Sequence, residues 1–366
     1  MRDMWKKMLL MVLGLVWLLL GVGEVRAEEV RDERLKGEVV KMTVDQKESK
    51  NGESWYYQEF DFRVTSGSLK GEVVKIVNGE LGNVRTERYE EGDELIVGYG
   101  VDVDGEDYFY VIDYVREKWL LGLLVVFVVV AVLTTKKWAV TSLLGMAFSF
   151  LVIFRVILPM IIDGFDPVWA AIGGSVLIIP VTFYLSHGFS RKTNASILGT
   201  VVALVLIGWL SKWVMEVAHL TGLASEEAGF FLIESGGGVD MKGILLAGII
   251  IGSLGVLDDV TISQAAIVAE LKKTDKGLRM RDLYKKAMRV GNDHITSMIN
   301  TLVLVYTGAA MPLLLLFISG GLGFSEVINY EVVAEEIIRM LIGSTGLVLA
   351  VPITTVIAAK WMRKSD

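Results

Sequence analysis

The chain has 366 residues, 53% of them hydrophobic, no cysteine and a formal net charge of −7, with a mean hydropathy of +0.52. This is too apolar for an ordinary soluble enzyme, and the apolar residues come in discrete runs, as a polytopic membrane protein requires. The missing cysteines exclude disulfides, thiolate catalysis, cysteine metal ligands and a lipoprotein anchor, and the scattered His187, His219 and His294 form no metal-spaced pair.

In chain order, the first feature is a basic start, Met1 to Lys7, followed by an apolar run from Met8 to Gly23 and Val25-x-Ala27. Residues 1–27 therefore read as a secretory signal cleaved after Ala27 or as an uncleaved first anchor. On either reading the next segment is exported. Residues 28–116 are polar and carry strand patterns at Lys36–Val44, Trp55–Val64, Glu72–Val77, Leu95–Tyr99 and Tyr108–Ile112. A small five- or six-stranded barrel of the OB or SH3-like sort is expected. Leu-Lys-Gly-Glu-Val-Val-Lys occurs at 35–41 and again at 69–75, which is either a pair of similar hairpin units or a chance repeat. Asp102, Asp104, Glu106 and Asp107 lack the spacing of a calcium loop and read as a solvated turn.

From 117 to 366 the chain reads as a transmembrane helical domain. Seven apolar segments lie near 119–135, 138–160, 168–186, 195–215, 243–270, 294–319 and 338–360. The loops between them alternate in charge. Lys136-Lys137, Arg191-Lys192, the cluster from Lys272 to Arg289 and the terminal Lys360, Arg363 and Lys364 fall on one side. Asp163, Asp166, Glu216, Glu226, Glu227, Glu234 and Asp240 fall on the other. The positive-inside rule then puts the β domain outside and the C-terminus in the cytoplasm of a bacterial cell membrane, and it accounts for the basic residues without nucleic acid. Residues 220–234 look amphipathic and interfacial. Gly236-Gly-Gly238 lacks the Lys-Ser/Thr ending of a phosphate loop. Gly248, Gly252 and Gly255 thin one side of the fifth segment, where a neighbouring helix is expected to pack closely.

The fifth segment also holds Asp258 and Asp259, adjacent carboxylates in an otherwise apolar run. A central carboxylate costs roughly 2.5–3.5 kcal/mol on insertion scales, so such residues face a bundle interior or a wet cavity. Thr261 and Gln264 flank the pair. An antiparallel sixth segment is expected to bring Asn300, Thr301 and Thr307 to the same depth, with Ser344, Thr345, Thr354 and Thr355 offered by the seventh. One polar cluster of the last three segments, centred on the two aspartates, is the resulting expectation. Adjacent carboxylates in low dielectric titrate as a coupled unit, which suits a proton relay or a small-cation site. A structural polar core and aspartates sitting in cytoplasmic-side water stay open as alternatives. His294 is a secondary candidate, either as an interfacial titrator or as a helix-start hydrogen-bonding group, and Arg155 reads as an anchor that snorkels or pairs with Asp163. No Ser-His-Asp, HExxH or P-loop arrangement is present, so no enzymatic activity, cofactor or metal is expected.

Gly255-Val-Leu-Asp-Asp-Val-Thr-Ile-Ser-Gln-Ala-Ala266, Asp293-His-Ile-Thr-Ser-Met-Ile-Asn-Thr-Leu-Val-Leu304 and Gly346-Leu-Val-Leu-Ala-Val-Pro-Ile-Thr-Thr355 resemble the YibE/F family of bacterial polytopic membrane proteins. The resemblance covers most of the membrane region and, more loosely, the β domain. It departs at Asn292, where a basic residue is expected beside Asp293. It implies architecture and no particular activity. A more distant architectural likeness links the last three segments to SecDF and related RND-type permeases, as an analogy of fold only. The expected function is a permease-like or ion-coupled transport component with substrate undefined. The alternative is a membrane scaffold or sensor whose β domain binds a partner. Expected partners are the lipid bilayer and either another membrane protein or further copies of the chain.

Overall fold

The computed structural model describes residues 33–50, 53–79, 87–101 and 105–363. The expected signal or anchor at 1–27, together with Asp102 and Asp104, lies outside the described residues. The chain divides into two compact units, one carrying a β-sheet and the helix that follows it, the other beginning at Thr135.

The sheet is antiparallel and has the order β3-β2-β1-β4-β5. Its strands are β1 (Glu33–Lys50), β2 (Glu53–Ser66), β3 (Val73–Asn78), β4 (Glu94–Val101) and β5 (Asp107–Tyr114). Alternation selects the inner face: Leu35, Gly37 and Val39 of β1 meet Phe60, Phe62 and Val64 of β2, Ile76 of β3, and Leu95 and Val97 of β4. Register shifts at Val39/Lys41 and Met42/Val44 bend β1, as bulges do. The two outer strands, β3 and β5, come near one another without a hydrogen-bonded ladder. Gly37 is required by crowding, because a Cβ there would stand 2.2 Å from the Arg63 carbonyl and 2.6 Å from the Phe62 ring. Buried Gln58 pins the segment before β4 by donating to the Tyr89 carbonyl and accepting from its amide, both at 2.9 Å. The repeated heptapeptide takes two conformations: the copy at 35–41 lies wholly within β1, while the copy at 69–75 forms a turn, with Gly71 at φ +98°, before entering β3. It does not build two equivalent hairpins. Helix α1 (Glu117–Thr135) continues this unit, tied by ion pairs Lys36–Glu117 and Lys118–Glu94, and buries none of its residues.

The second unit is helical. Helix α2 (Lys137–Val152) runs through a π-turn at Ile153–Ile157 into α3 (Leu158–Ile162), and together they form one span-length element. Then come α4 (Pro167–His187), α5 (Arg191–Val217), the short α6 (Glu226–Glu234) and α7 (Met241–Thr274). They are followed by α8 (Met280–Ala309), α9 (Met311–Ser319), α10 (Phe324–Val327) and α11 (Glu331–Arg363). Starts are set by local chemistry. Asp166 accepts from the amides of Val168 and Trp169 ahead of α4, Ser190 caps α5, Ser225 caps α6 and Asp240 caps α7, with Pro167 in the first turn of α4. Among the described residues six helical elements are long and apolar enough to cross a membrane, and the bent pair α8–α9 is a seventh if its two parts count as one span. The sixth expected segment is thus not one straight helix. It bends by 61° where Pro312 opens α9, since proline has no amide hydrogen for the preceding turn. The interfacial expectation for 220–234 resolves into α6, whose Phe230 and Ile233 are exposed.

Helix α7 is the axis of this unit, packed by α4, α5, α8 and α11. The close approaches are made elsewhere than the sequence led us to expect. A Cβ at Gly248, Gly252 or Gly255 would meet nothing within 4 Å, so that stripe faces open space. The tight crossing is between α5 and α11, where a Cβ at Gly199 would stand 2.2 Å from Thr354 Oγ1 and 3.3 Å from its Cα. We predict that Gly199→Val wedges α5 from α11 and costs about 1–3 kcal/mol, the range for overpacking. Thermal melting of the purified protein in detergent checks this, and an unchanged midpoint would remove Gly199 as a packing determinant.

Candidate functional site

Asp258 and Asp259 lie near the midpoint of α7, roughly 25 Å along the axis from either end at 1.5 Å per residue. They line a cleft of about 330 Å³ together with Gly255 and Ile262 of α7, Ser142, Gly145, Met146 and Ser149 of α2, and Thr182, Ser186 and His187 of α4. Asp259 is exposed and Asp258 only partly so. Asp258 Oδ1 is shut off from solvent and accepts no hydrogen bond. An unsatisfied buried carboxylate oxygen is expensive, and among the described residues Asp258 Oδ1 shares that state with Glu335 Oε1 of α11.

The hydroxyls around the pair are oriented by their own helices. Ser149 donates to the Gly145 carbonyl at 3.1 Å, and Thr182 donates to those of Ile178 and Ile179 at 3.0 and 3.1 Å. With the proton committed to the backbone, each oxygen keeps lone pairs as acceptors. Two carboxylates and hydroxyl acceptors make a surrounding that favours a proton or a small cation. His187, at the C-terminal end of α4, packs on the Phe183 ring and lies within electrostatic reach of Asp259 and Lys192. No group of three or more His, Asp and Glu among the described residues has the geometry of a metal site.

The other expected site residues are distributed differently from the single cluster the sequence implied. Thr261 is fully buried against α5, its hydroxyl 2.7 Å from that of Thr200 and its carbonyl accepting from Ser196 at 3.2 Å. Gln264 turns toward α8 and α11, donating to the Ala287 carbonyl at 3.2 Å and to Thr355 Oγ1 at 2.7 Å. Six residues beyond Asp258, at 100° each, Gln264 projects about 120° away around the helix, which is why one helix serves two separate polar sets. Thr354 is buried in the α5–α11 crossing with its hydroxyl unpartnered, and so is the Ser344 hydroxyl, while Thr345 is exposed.

Asn300, Thr301 and Thr307 correct the expectation most clearly. All three are exposed and none lines the cleft. Leu302, Ile295 and Met298 form the face of α8 that packs inward, and Asn300 stands about 200° from Leu302 around that helix. His294 is half-buried on α8 with Nε2 unpartnered, and it too is absent from the cleft. Arg155 sits on the π-turn. The aspartates therefore face α2 and α4, and Ser142, Ser149, Thr182, Ser186 and His187 are the residues that reading the sequence missed. The mark that the serines and the threonine leave in the sequence is a hydroxyl four or seven residues from the next along otherwise apolar segments, a pattern common in membrane helices of every kind.

The YibE/F-like protein family matches residues 123–364. The chain belongs to this family. The match takes in nearly all of the helical unit and leaves the sheet outside it. No curated protein and no solved structure matches the chain. The block Gly255–Ala266, which carries the resemblance most specifically, is the same stretch that supplies the cleft carboxylates, Thr261 and Gln264.

Gln264 is the polar hub of the α7–α8–α11 contact, and Gly291 leaves it room, since a Cβ there would stand 2.9 Å from Gln264 Oε1. We predict that Gln264→Leu loses about 1–3 kcal/mol by removing its hydrogen bonds to the Ala287 carbonyl and to Thr355 Oγ1. Denaturation in mixed micelles measures this, and a loss within error of zero would show the hub to be dispensable.

Proposed function

We propose that this YibE/F-like protein is a multi-pass bacterial cell-membrane protein, not an enzyme, that acts as a permease-like, ion- or proton-coupled component with Asp258 and Asp259 as the coupling groups. The observation that carries the reading is the cleft itself: two mid-helix carboxylates face hydroxyl acceptors and a histidine, and Asp258 Oδ1 has no partner. A pair kept only for packing would be expected to have its oxygens satisfied. The cleft reaches from the middle of α7 to His187, at the end of α4 that adjoins Arg191 and Lys192. On the positive-inside rule this is the cytoplasmic side, so the cleft is an inward-open proton or cation entry. The substrate stays undefined.

Asparagine at either position keeps the size and some hydrogen bonding while removing the charge change. Asp258→Asn and Asp259→Asn are expected to reach wild-type abundance, to fail in complementing a deletion strain, and to flatten the dependence of detergent stability on pH between about 5 and 8. Full complementation by both variants with an unaltered pH profile would end the coupling reading. Orientation has its own test. Cysteines at Gly67 and Gly237 are expected to react with a membrane-impermeant maleimide in intact cells and one at Lys276 to stay unlabelled, whereas external labelling at 276 would invert the topology.

A scaffold or sensor is the second reading, and the sheet favours it. The order β3-β2-β1-β4-β5 with β3 near β5 is that of an OB-type barrel left partly open. Exposed Tyr108 and Tyr110 stack with centroids 6.2 Å apart on the outer strand β5, a surface suited to a partner.

A further inference from the structure

A second cavity lies in the helical unit, away from the aspartates. It measures about 630 Å³ and is walled by α4, α5 and α7, within the range of roughly 300–1,000 Å³ usual for ligand sites. Its walls are apolar, with Val176 of α4, Val205 of α5 and Ile250 of α7 among them. One end is different. There the capped starts of α4 and α7 and the last two turns of α5 bring Asp166, Asp240, Glu216, Lys212 and Lys242 to a common rim. Trp169 and Trp209 lie beside them, 64% and 69% exposed, as aromatic residues do at a membrane–water boundary.

The rim charges are not paired off against each other. Asp166 and Asp240 direct an oxygen to helix-start amides, at 2.9 and 3.0 Å, and neither Lys212 nor Lys242 makes an ion pair among the described residues. Two ammonium groups and three carboxylates above one apolar cleft match a zwitterion with a hydrocarbon tail. A phosphate is attracted to the lysines as point charges. A primary ammonium can donate hydrogen bonds to the carboxylates, which a quaternary ammonium cannot. An anionic headgroup with no amine leaves Glu216 unanswered.

We propose that α4, α5 and α7 bind a phospholipid of the phosphatidylethanolamine class, its phosphate held between Lys212 and Lys242, its ammonium facing Glu216, Asp166 and Asp240, and one acyl chain lying in the cleft against Val205 and Ile250. The site is independent of the aspartate cleft and of which side of the membrane the rim occupies.

Native mass spectrometry of the purified full chain in detergent, titrated separately with dioleoyl phosphatidylethanolamine, phosphatidylcholine and phosphatidylglycerol, tests this. The first bound lipid is expected to be phosphatidylethanolamine by several-fold over the other two. Glu216→Gln is expected to lower that preference, and the Lys212→Gln, Lys242→Gln double variant to weaken all three lipids alike. Gly208 lines the cleft, and a Cβ there would sit 3.8 Å from Ile250. A Cβ is therefore accommodated at ordinary contact distance, and Gly208→Leu is expected to weaken every lipid by occupying the chain's place, with thermal melting in detergent checking that the variant is folded. Glycerophosphoethanolamine, which has the headgroup and no chains, is expected not to compete. Equal binding of the three lipids with all variants unchanged would reduce the cleft to ordinary surrounding lipid and overturn the proposal. Competition by the chain-free headgroup, or unaltered lipid binding by Gly208→Leu, would overturn the placement of the acyl chain.

Discussion

The helical unit is organised by the cost of holding polar groups on α7, at the centre of an apolar bundle. A carboxylate or amide at that position must be given partners or water, because leaving it bare is worth several kcal/mol against the fold. Helix α7 meets this demand in three directions. Its carboxylates face the hydroxyl-lined cleft of α2 and α4. Thr261 is answered by Thr200 and Ser196 of α5, and Gln264 by Ala287 of α8 and Thr355 of α11. Because Thr261 and Gln264 find their partners on different neighbours, the rotation and depth of α7 are fixed against those helices at once. Apolar packing alone is poor at this, since apolar faces slide and rotate against each other at little cost. The hydrogen bonds contribute specificity more than stability, given how little each is worth between membrane helices.

The same division separates support from chemistry. Thr261, Gln264 and Thr355 are fully or almost fully buried and satisfied, and they behave as the frame. Asp258 is the member left unsatisfied, facing a cleft large enough to take water or an ion. The hydroxyls of Ser149 and Thr182 belong to both parts, since their protons are used by the helix and their lone pairs are left for the cleft.

The sheet solves a different problem. It buries one face around Phe60, Phe62 and Leu35 and presents the other to solvent, as alternation demands. Its outer strands carry charge and aromatic side chains, Lys75 paired with Glu59 at 2.5 Å on one flank and the stacked tyrosines of β5 on the other. The Ser68 amide and hydroxyl both bind the Glu33 carboxylate, which holds that acid below the ordinary carboxylate range and fastens the β2–β3 turn to the start of β1.

What the sequence determined by itself was the part governed by local rules. Apolar run length located the span-length helices among the described residues, and period-two alternation located the strands. The cost of placing Asp258 and Asp259 there was also legible, because a charge in a long apolar run is costly whatever surrounds it. The direction in which those carboxylates point was not. Chain order made α8 and α11 the natural partners of α7, yet a difference of about 100° per residue sends Gln264 to them and the aspartates to α2 and α4. Asn300 and Thr301 lie on the exposed side of their helix for the same reason. The open glycine stripe on α7 follows from which helices come to lie alongside. Depth is set by counting residues along one helix, whereas facing is set by the packing of all of them, and only the tertiary structure contains that.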